Sequence, residues 1–237
     1  MQIKILLLLG TLLCPTLALA AVACNDANAV SNEDGAGPNP ITISYTYAGG
    51  TNAVAFHFAG YRRGAGTLSY TAKSWNGVGS TSLTTHRYTD PAGGEAFYNL
   101  TPATGTVSAT ASSTVLASLT AAFVCTGVNT VSPTHDAIST TGSGTTASTT
   151  VSNVLASDVV IACMSKDGGE AISPDGSLVE LIKDASPVEM NGGCFYQAGT
   201  VGGSVSISWT GTQQWTIHAW AVSAADSSDA GDPLWFY

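Results

Sequence analysis

Hydrophobic and polar residues alternate along the first part of the chain with the period of two that is typical of β-strands. Residues 41–47 alternate first, a Gly-Gly pair turns the chain, and residues 53–58 return, so this stretch predicts a β-hairpin. Asn76-Gly77 supplies a tight turn between the next two predicted strands. No stretch shows helical periodicity. The pattern therefore predicts an all-β protein.

One part of this pattern recurs further along the chain without a gap. Residues 83–124 are echoed by residues 181–222, and Phe97-Tyr98 in the first copy meets an identical pair 98 residues later. A chain rich in Ala, Gly, Ser and Thr raises the number of chance matches. We interpret the echo as the duplication of one β-unit.

The duplication predicts how the chain is divided. The half-repeats are residues 41–128 and 145–225, and a short, turn-rich connector joins them. Some predicted strands are apolar at both odd and even positions, as at Phe123 and Val124. Because successive side chains point to opposite faces, this pattern indicates sheets that are covered on both faces. Because each half is small, one sandwich over residues 41–225 is favoured over two small domains. We predict an all-β, two-sheet β-sandwich of jelly-roll type built from two pseudo-repeated halves.

The N-terminal segment has the pattern of a secretory signal. Residues 1–20 combine Lys4, a short apolar run and a small-residue site that ends at Ala20. The run is shorter than the roughly 20 apolar residues that a membrane span needs, and Pro15 interrupts it. Cleavage is predicted after Ala20 or after Ala23. The mature chain is therefore expected to be secreted, extracellular or at the cell surface, with no stable membrane span.

Two further hypotheses concern the residues after the signal. The four residues that end at Cys24 form a poor lipobox, so Cys24 is an alternative lipidated N-terminus. Residues 24–40 are rich in turn-forming residues and contain Pro38 and Pro40, which predicts an irregular N-terminal lead.

The cysteines predict disulfides. Removal of the signal discards Cys14 and leaves four cysteines, an even number that in an exported chain allows three connectivities. Cys163–Cys194 is favoured because both residues lie in strand-like runs of the second half, and Cys24–Cys125 follows by elimination. No Cys/His spacing suggests zinc.

Composition and charge narrow the list of partners. Charged residues make up 10% of the chain and hydrophobic residues 44%, and Ser, Thr, Gly and Ala are the most abundant residue types. This suits an extracellular β-protein. The net charge of −9 with only seven Lys plus Arg removes the electrostatic term of non-specific nucleic-acid binding. Nucleic acid is therefore excluded as a partner.

Oxygen-bearing side chains supply weak calcium candidates. Glu33 and Asp34 occupy one acidic turn, and Asp167 and Glu170 flank a Gly-Gly pair in another. Ca²⁺ takes several flexible oxygen ligands, but no complete loop signature is present. The alternative interpretation is a pair of solvated acidic turns, and no other cofactor is predicted.

Aromatic and histidine side chains are the remaining candidates. Tryptophans supply enough surface for a sugar-stacking platform. Trp215 and Trp220 stand at an odd and an even position of one strand, so they face opposite sides and cannot line the same patch.

Glu95 and Glu180 are interpreted as solvent-facing charges. The histidines form no ligand pair and no catalytic motif; they are His57, His86, His135 and His218.

The C-terminus combines an acidic spacer with an apolar tail. Residues 226–237 carry three Asp and end in the tail Leu234, Trp235, Phe236 and Tyr237. One interpretation is that the tail folds back onto its own sandwich. The other is an interface, because aromatic anchors contribute disproportionately to association.

The order of several motifs resembles a known group of domains. These are the Trp75-Asn-Gly-Val turn, the Ala96-Phe-Tyr-Asn-Leu run, the Pro102-Ala-Thr-Gly-Thr-Val run and the Asp158-Val-Val-Ile strand. The order resembles a poorly characterised family of jelly-roll or lectin-like β-sandwich domains in secreted bacterial and phage structural proteins. The resemblance implies attachment, display or assembly, and it transfers no catalytic residue.

Three functional hypotheses follow. The first is a secreted, non-catalytic structural or adhesive surface protein that self-associates through sheet edges or the aromatic tail, or binds a cell-surface component. The second is a carbohydrate-binding, lectin-like module, which needs an exposed aromatic patch or a calcium-bound acidic loop. The third is a secreted hydrolase, which the scattered histidines do not favour.

Overall fold

The computed structural model describes residues 21–34, 40–63, 68–86, 92–184 and 189–225, and the side chains of all of these except 25–34 and 86. Within them the chain forms strands, one 3₁₀ turn and no α-helix. The strands are β1 (Ala23–Asp34), β2 (Ile41–Tyr45), β3 (Val54–Arg62), β4 (Tyr70–Trp75), β5 (Val78–Gly79), β6 (Thr81–His86), β7 (Ala92–Asn99), β8 (Gly105–Ala111), β9 (Ala117–Thr126), β10 (Thr134–Thr150), β11 (Val159–Asp167), β12 (Ser173–Pro174), β13 (Val179–Lys183), β14 (Met190–Ala198) and β15 (Ser204–Val222), and the 3₁₀ turn is Gly199–Val201. The predicted signal and the acidic, aromatic tail lie outside the described residues.

The strands form three antiparallel sheets. Sheet 1 has the order β1-β9-β3-β7-β6, and sheet 2 has the order β10-β15-β11-β14-β13, with β12 also paired to β15. Sheet 3 has the order β2-β8-β4-β5. The prediction of an all-β sandwich is confirmed, and sheet 3 is a layer that the sequence pattern did not separate from the other two.

Sheets 1 and 2 pack face to face around the main core. Even-numbered residues of β3 point into this core, where Phe56 lies 5.7 Å from Phe123 and 5.6 Å from Trp220 between ring centroids. Ile161 and Cys163 of β11 belong to the same cluster. Aromatic side chains bury large apolar areas, so these contacts contribute strongly to the stability of the main core.

Two further layers cover the outer faces of these sheets. Sheet 3 packs Ile43 and Trp75 against Ala55 and Val124 of sheet 1. On the other side, the ladder between β10 and β15 changes register between Gly144 and Thr146, and we call this irregularity the bend. Gly211 lies in the facing part of β15 with a φ of 80°, which favours glycine. The part beyond the bend, residues 145–150 and 204–209 together with β12, is called the arm. Its inner side chains pack on the outer face of sheet 2, so both inner sheets are buried on both faces, as the apolar runs of mixed parity predicted.

The ladders of the two inner sheets correspond. Thr81 pairs with Tyr98 between β6 and β7, and Val179 pairs with Tyr196 between β13 and β14, so that equivalent partners lie 98 residues apart. A register shift follows at the same place in both ladders. The duplication and the jelly-roll topology remain predictions from the sequence.

The predicted hairpin of residues 41–47 and 53–58 is wrong. β2 pairs with β8 in sheet 3, whereas β3 pairs with β7 and β9 in sheet 1. Asn76-Gly77 does form the predicted tight turn, because both residues adopt positive φ between β4 and β5.

Two segments that were predicted to be irregular form edge strands. Most of the predicted lead at residues 24–40 belongs to β1, which pairs with β9. The predicted connector before residue 145 contains residues 134–144 of β10, which pairs with β15. Asn, Asp, Ser and Gly in these segments resemble turn residues. Pairing along one side to an apolar strand overrides their local preference.

Candidate functional site

Two disulfides lie in the main core. Cys24 faces Cys125 across β1 and β9, and Cys163 faces Cys194 across β11 and β14. These are the pairs that the sequence analysis favoured. The Cys24 sulfur is therefore occupied, and the thioether of a lipidated cysteine requires the same atom. The structure supports a disulfide at Cys24 rather than a lipid.

The calcium candidates are engaged with cations. The Asp167 carboxylate lies 2.6 Å from Nε of Arg62, and Glu189 lies 2.9 Å from the same guanidinium. Glu170 pairs with Lys166 at 2.6 Å. The side chains of Glu33 and Asp34 lie outside the described ones. Among the residues that the structure describes, no group of three or more His, Cys, Asp or Glu is arranged to hold a metal ion.

Lys166 is the centre of a buried, fully paired network. Its side chain is 0% exposed, and Nζ donates to the carbonyls of Asp167 and Gly168 and to Glu170. The Lys166 hydrogen bond lowers the pKa of Glu170, and Gln213 donates to the second carboxylate oxygen. Each of the three ammonium protons of Lys166 has an acceptor, so the network stabilises one end of sheet 2. The ammonium has no N–H left to donate to a ligand.

A second polar cluster lies between sheets 1 and 3. The Glu95 carboxylate accepts from the Tyr70 amide at 3.2 Å and lies 3.6 Å from Nζ of Lys73. Burial, followed by Tyr61 and Glu95, raises the pKa of the Tyr70 phenol. Glu95 is 2% exposed, which corrects its interpretation as a solvent-facing charge. Because the two sheets cover these groups, they do not form an accessible acid–base pair.

The side chains of His57 and His218 are buried in two different interfaces between sheets. His57 lies between sheets 1 and 3, and its ring nitrogens have no hydrogen-bond partner among the described residues. Burial lowers its pKa from 6.5 to about 3. His218 lies in the main core, where its ring nitrogens are bonded to Thr84 at 2.7 Å and Thr216 at 3.1 Å. Both are structural, and the side chain of His86 lies outside the described ones.

His135 is the one histidine with a carboxylate partner among the described side chains. Its Nδ1 lies 2.9 Å from Oδ2 of Asp158, and its side chain is 33% exposed whereas that of Asp158 is 0% exposed. This geometry resembles the base-orienting pair of a hydrolase. Among the described residues, no hydroxyl is hydrogen-bonded to the other ring nitrogen of His135.

The aromatic platform is not present among the described residues. Trp75, Trp209, Trp215 and Trp220 are all buried, and Trp215 and Trp220 point into different cores, as their parity predicted. The side chains that could have stacked on a sugar instead hold the layers together.

The two outermost faces of the fold carry hydroxyl groups instead. Outward-pointing residues of sheet 3 alternate with buried ones, and the arm shows the same alternation. We call these surfaces the hydroxyl faces. The paired strands of these faces carry mainly Ser and Thr at the outward positions; they are Thr42, Ser44, Ser74, Thr106, Ser108 and Thr110 on sheet 3, and Thr146, Ser148, Thr150, Ser204, Ser206 and Ser208 on the arm. Ser173 of β12 lies opposite Ser208, and the exposed Asp175 lies at the border of the arm face.

Neighbouring hydroxyls on these faces are close enough to bond to each other. Ser74 and Ser108 Oγ atoms lie 2.8 Å apart on sheet 3, and Thr150 and Ser204 hydroxyls lie 3.1 Å apart on the arm. An open cavity of about 260 Å³ lies on the arm between these strands and Asp175. Sequence reasoning missed these faces because Ser and Thr are common throughout the chain; the signal was their strict alternation with buried residues.

No family model, curated protein or solved structure matches the chain. In the part of the chain that the structure describes, no helix is long and apolar enough to cross a membrane.

Proposed function

We propose that the chain is an exported, non-catalytic structural or adhesive protein that attaches to a polysaccharide surface through its two hydroxyl faces. The observation that carries this proposal is the composition of those faces, each of which presents at least six hydroxyl side chains, with Asp175 at the border of the arm face. The acid–base groups of the fold are buried or paired, which favours attachment over catalysis.

The spacing of a β-sheet suits a polymer with regularly repeated hydroxyls. Hydroxyls on one face lie about 4.8 Å apart between strands and roughly 6.8 Å apart along a strand. Each hydroxyl both donates and accepts, so it can exchange bonds with water for bonds with a sugar at little net cost. A single contact is weak, and many simultaneous contacts give the affinity.

The core chemistry supports export. Both disulfides cross neighbouring strands in the main core. Disulfides persist in oxidising compartments outside the cytosol. A protein that is held together by disulfides and carries few surface cations is suited to a place on or beyond the cell surface.

The proposal is tested by co-sedimentation with insoluble polysaccharides such as cellulose and chitin. One variant replaces Thr146, Ser148, Ser206 and Ser208 with Ala, and we expect its bound fraction to fall by half or more. The matched control replaces exposed hydroxyls outside both faces; these are Thr130, Ser132 and Ser152. Equal binding by the face variant and the control variant, with the fold intact by circular dichroism, would contradict the proposal.

A lectin-like site is the second candidate, and the arm cavity favours it. Asp175 borders a cavity of about 260 Å³ that Ser148, Thr150, Ser204 and Ser206 also line. A carboxylate beside several hydroxyls binds sugar hydroxyls in a defined orientation. Competition by a soluble oligosaccharide, together with loss of binding in Asp175→Asn, would favour this site over the extended faces.

A further inference from the structure

An open cavity of about 280 Å³ lies where β1 begins, beside the turn that precedes β11. Ala21 and Val22 line one side, and Ser157, Asp158 and Ala198 are among the residues that line the other. Apart from Asp158, the lining offers small or apolar side chains. The carboxylate is therefore the group that decides which ligand the cavity takes.

The Asp158 carboxylate is only partly satisfied. Its Oδ2 accepts from the Leu155 amide at 2.8 Å and is bonded to His135 at 2.9 Å. Its Oδ1 is buried and has no hydrogen-bond partner among the described residues. A buried carboxylate oxygen without a donor is costly, and the partner that relieves this cost best is a cationic N–H group.

The chain itself is built into the fold from Val22 onward. Val22 is 8% exposed and packs in the main core, Ala23 pairs with Thr126, and Cys24 forms a disulfide. Cleavage after Ala23 would remove a core side chain and the first pair of the β1–β9 ladder. Cleavage after Ala20 keeps both and leaves Ala21, which is exposed, at the edge of the cavity.

We infer that the exported chain begins at Ala21 and that its α-ammonium binds the free oxygen of Asp158 in this cavity. Hydrolysis by the signal peptidase of the export machinery breaks the Ala20–Ala21 amide bond. The oxygen of water joins the Ala20 carboxylate, and the Ala21 amine takes a proton to become the ammonium. The inference uses the export part of the proposed function and is independent of the polymer that the protein attaches to.

Processing thereby completes the fold. In the uncleaved chain the nitrogen of Ala21 is a neutral amide with a single N–H. After cleavage it carries a positive charge and three donors next to a buried negative charge. The new ion pair attaches the start of the edge strand β1 to the turn before β11, and so links sheet 1 to sheet 2.

The first test is the N-terminal sequence of the chain recovered outside an expressing cell. The inference predicts Ala21 as the first residue. A chain that starts at Cys24, with or without lipid, would overturn it. A chain that stays inside the cell with its leader intact would contradict export itself, and this outcome is distinguishable from a different cleavage site.

The second test is a double-mutant cycle on stability. Chains that start at Ala21, or that carry a Gly-Ser-Gly extension before Ala21, are compared with and without Asp158→Asn. We expect Asp158→Asn to raise the unfolding equilibrium constant about tenfold more in the chain with the free terminus, which is the scale of one charged hydrogen bond. Asp136→Asn is the control, because that carboxylate caps the amides of Ala137 and Ser152 and should not couple to the terminus. Equal effects of Asp158→Asn in both chains would refute the ion pair.

Discussion

Removal of the Cys24–Cys125 disulfide is expected to cost more stability than removal of Cys163–Cys194. The first bond closes a loop with a sequence separation of 101 and the second a loop with a separation of 31. The two loops do not overlap along the chain, so their effects on the unfolded state should be independent. In the chain-entropy model the losses are about 4.7 and about 3.7 kcal/mol.

The comparison isolates loop closure because both bonds are similar in the folded state. All four cysteines lie in the main core, and each bond joins residues that face each other on neighbouring strands. Replacing both members of a pair with Ala therefore leaves similar cavities. The difference of about 1 kcal/mol should come from the unfolded chain.

Urea unfolding of the unmodified chain, each double-Ala variant and the variant without disulfides measures these losses. We expect a lower midpoint for Cys24→Ala/Cys125→Ala than for Cys163→Ala/Cys194→Ala, and additive losses in the fourth chain. A larger loss from the short loop would show that folded-state packing, and not restriction of the unfolded chain, dominates the effect.

Three further predictions follow from particular residues. Because burial lowers the pKa of His57 to about 3, the unfolded chain binds a proton below about pH 6.5 that the folded chain does not, and stability should fall by up to about 1.4 kcal/mol per pH unit down to about pH 3. His57→Leu should flatten this slope and raise the midpoint at pH 7 by relieving two unpaired nitrogens; an unchanged acid slope in urea titrations would contradict the reasoning. Gly192→Ala should lower the melting temperature, since a Cβ there meets the Met164 carbonyl, whereas Gly176→Ala meets nothing within 4 Å and should be neutral; equal shifts in calorimetry would refute this. Deletion of residues 234–237 should leave the fold intact and abolish any oligomer, as measured by light scattering, and an unchanged mass or an unfolded product would count against a docking tail.

The strands themselves could be predicted because their alternation depends on a local rule. β2 alternates between buried and exposed residues, and β9 is apolar at both odd and even positions, which correctly indicated coverage on both faces. The turn at Asn76-Gly77 was equally local. These features need only the period of a strand and the φ preference of two residues.

Sheet membership could not be predicted in the same way. β2 and β3 are consecutive and joined by glycines, yet β2 pairs with β8 and β3 with β9. Pairing depends on which partner buries both faces of a strand, and that partner is distant in sequence. β1 could not be predicted for the same reason. Its polar residues are typical of a turn, and only the pairing with the distant, apolar β9 makes this segment a strand.

The features of the candidate site likewise divide into those that a single strand reveals and those that depend on several strands. Glu95 was expected at the surface because most charged residues lie there, and Lys166 was not singled out. Their burial depends on partners from other strands, since Lys73 pairs with Glu95 across two sheets and Glu170 returns to Lys166 after a turn. The hydroxyl faces, in contrast, were readable in the alternation of single strands and became a surface only when the strands were placed side by side.

The most direct test of the attachment proposal is a binding isotherm on an insoluble polysaccharide at low and high salt, with Ser108→Arg/Ser206→Arg as the comparison chain. Each arginine places a large side chain near the middle of a hydroxyl face. Because hydroxyl groups are neutral and so are cellulose and chitin, we predict that binding by the unmodified chain is the same at about 0.01 M and about 1 M salt. We predict that the arginine variant binds at least several-fold more weakly at both. Binding that falls steeply with salt, or that the arginines leave unchanged, would contradict attachment through the hydroxyl faces.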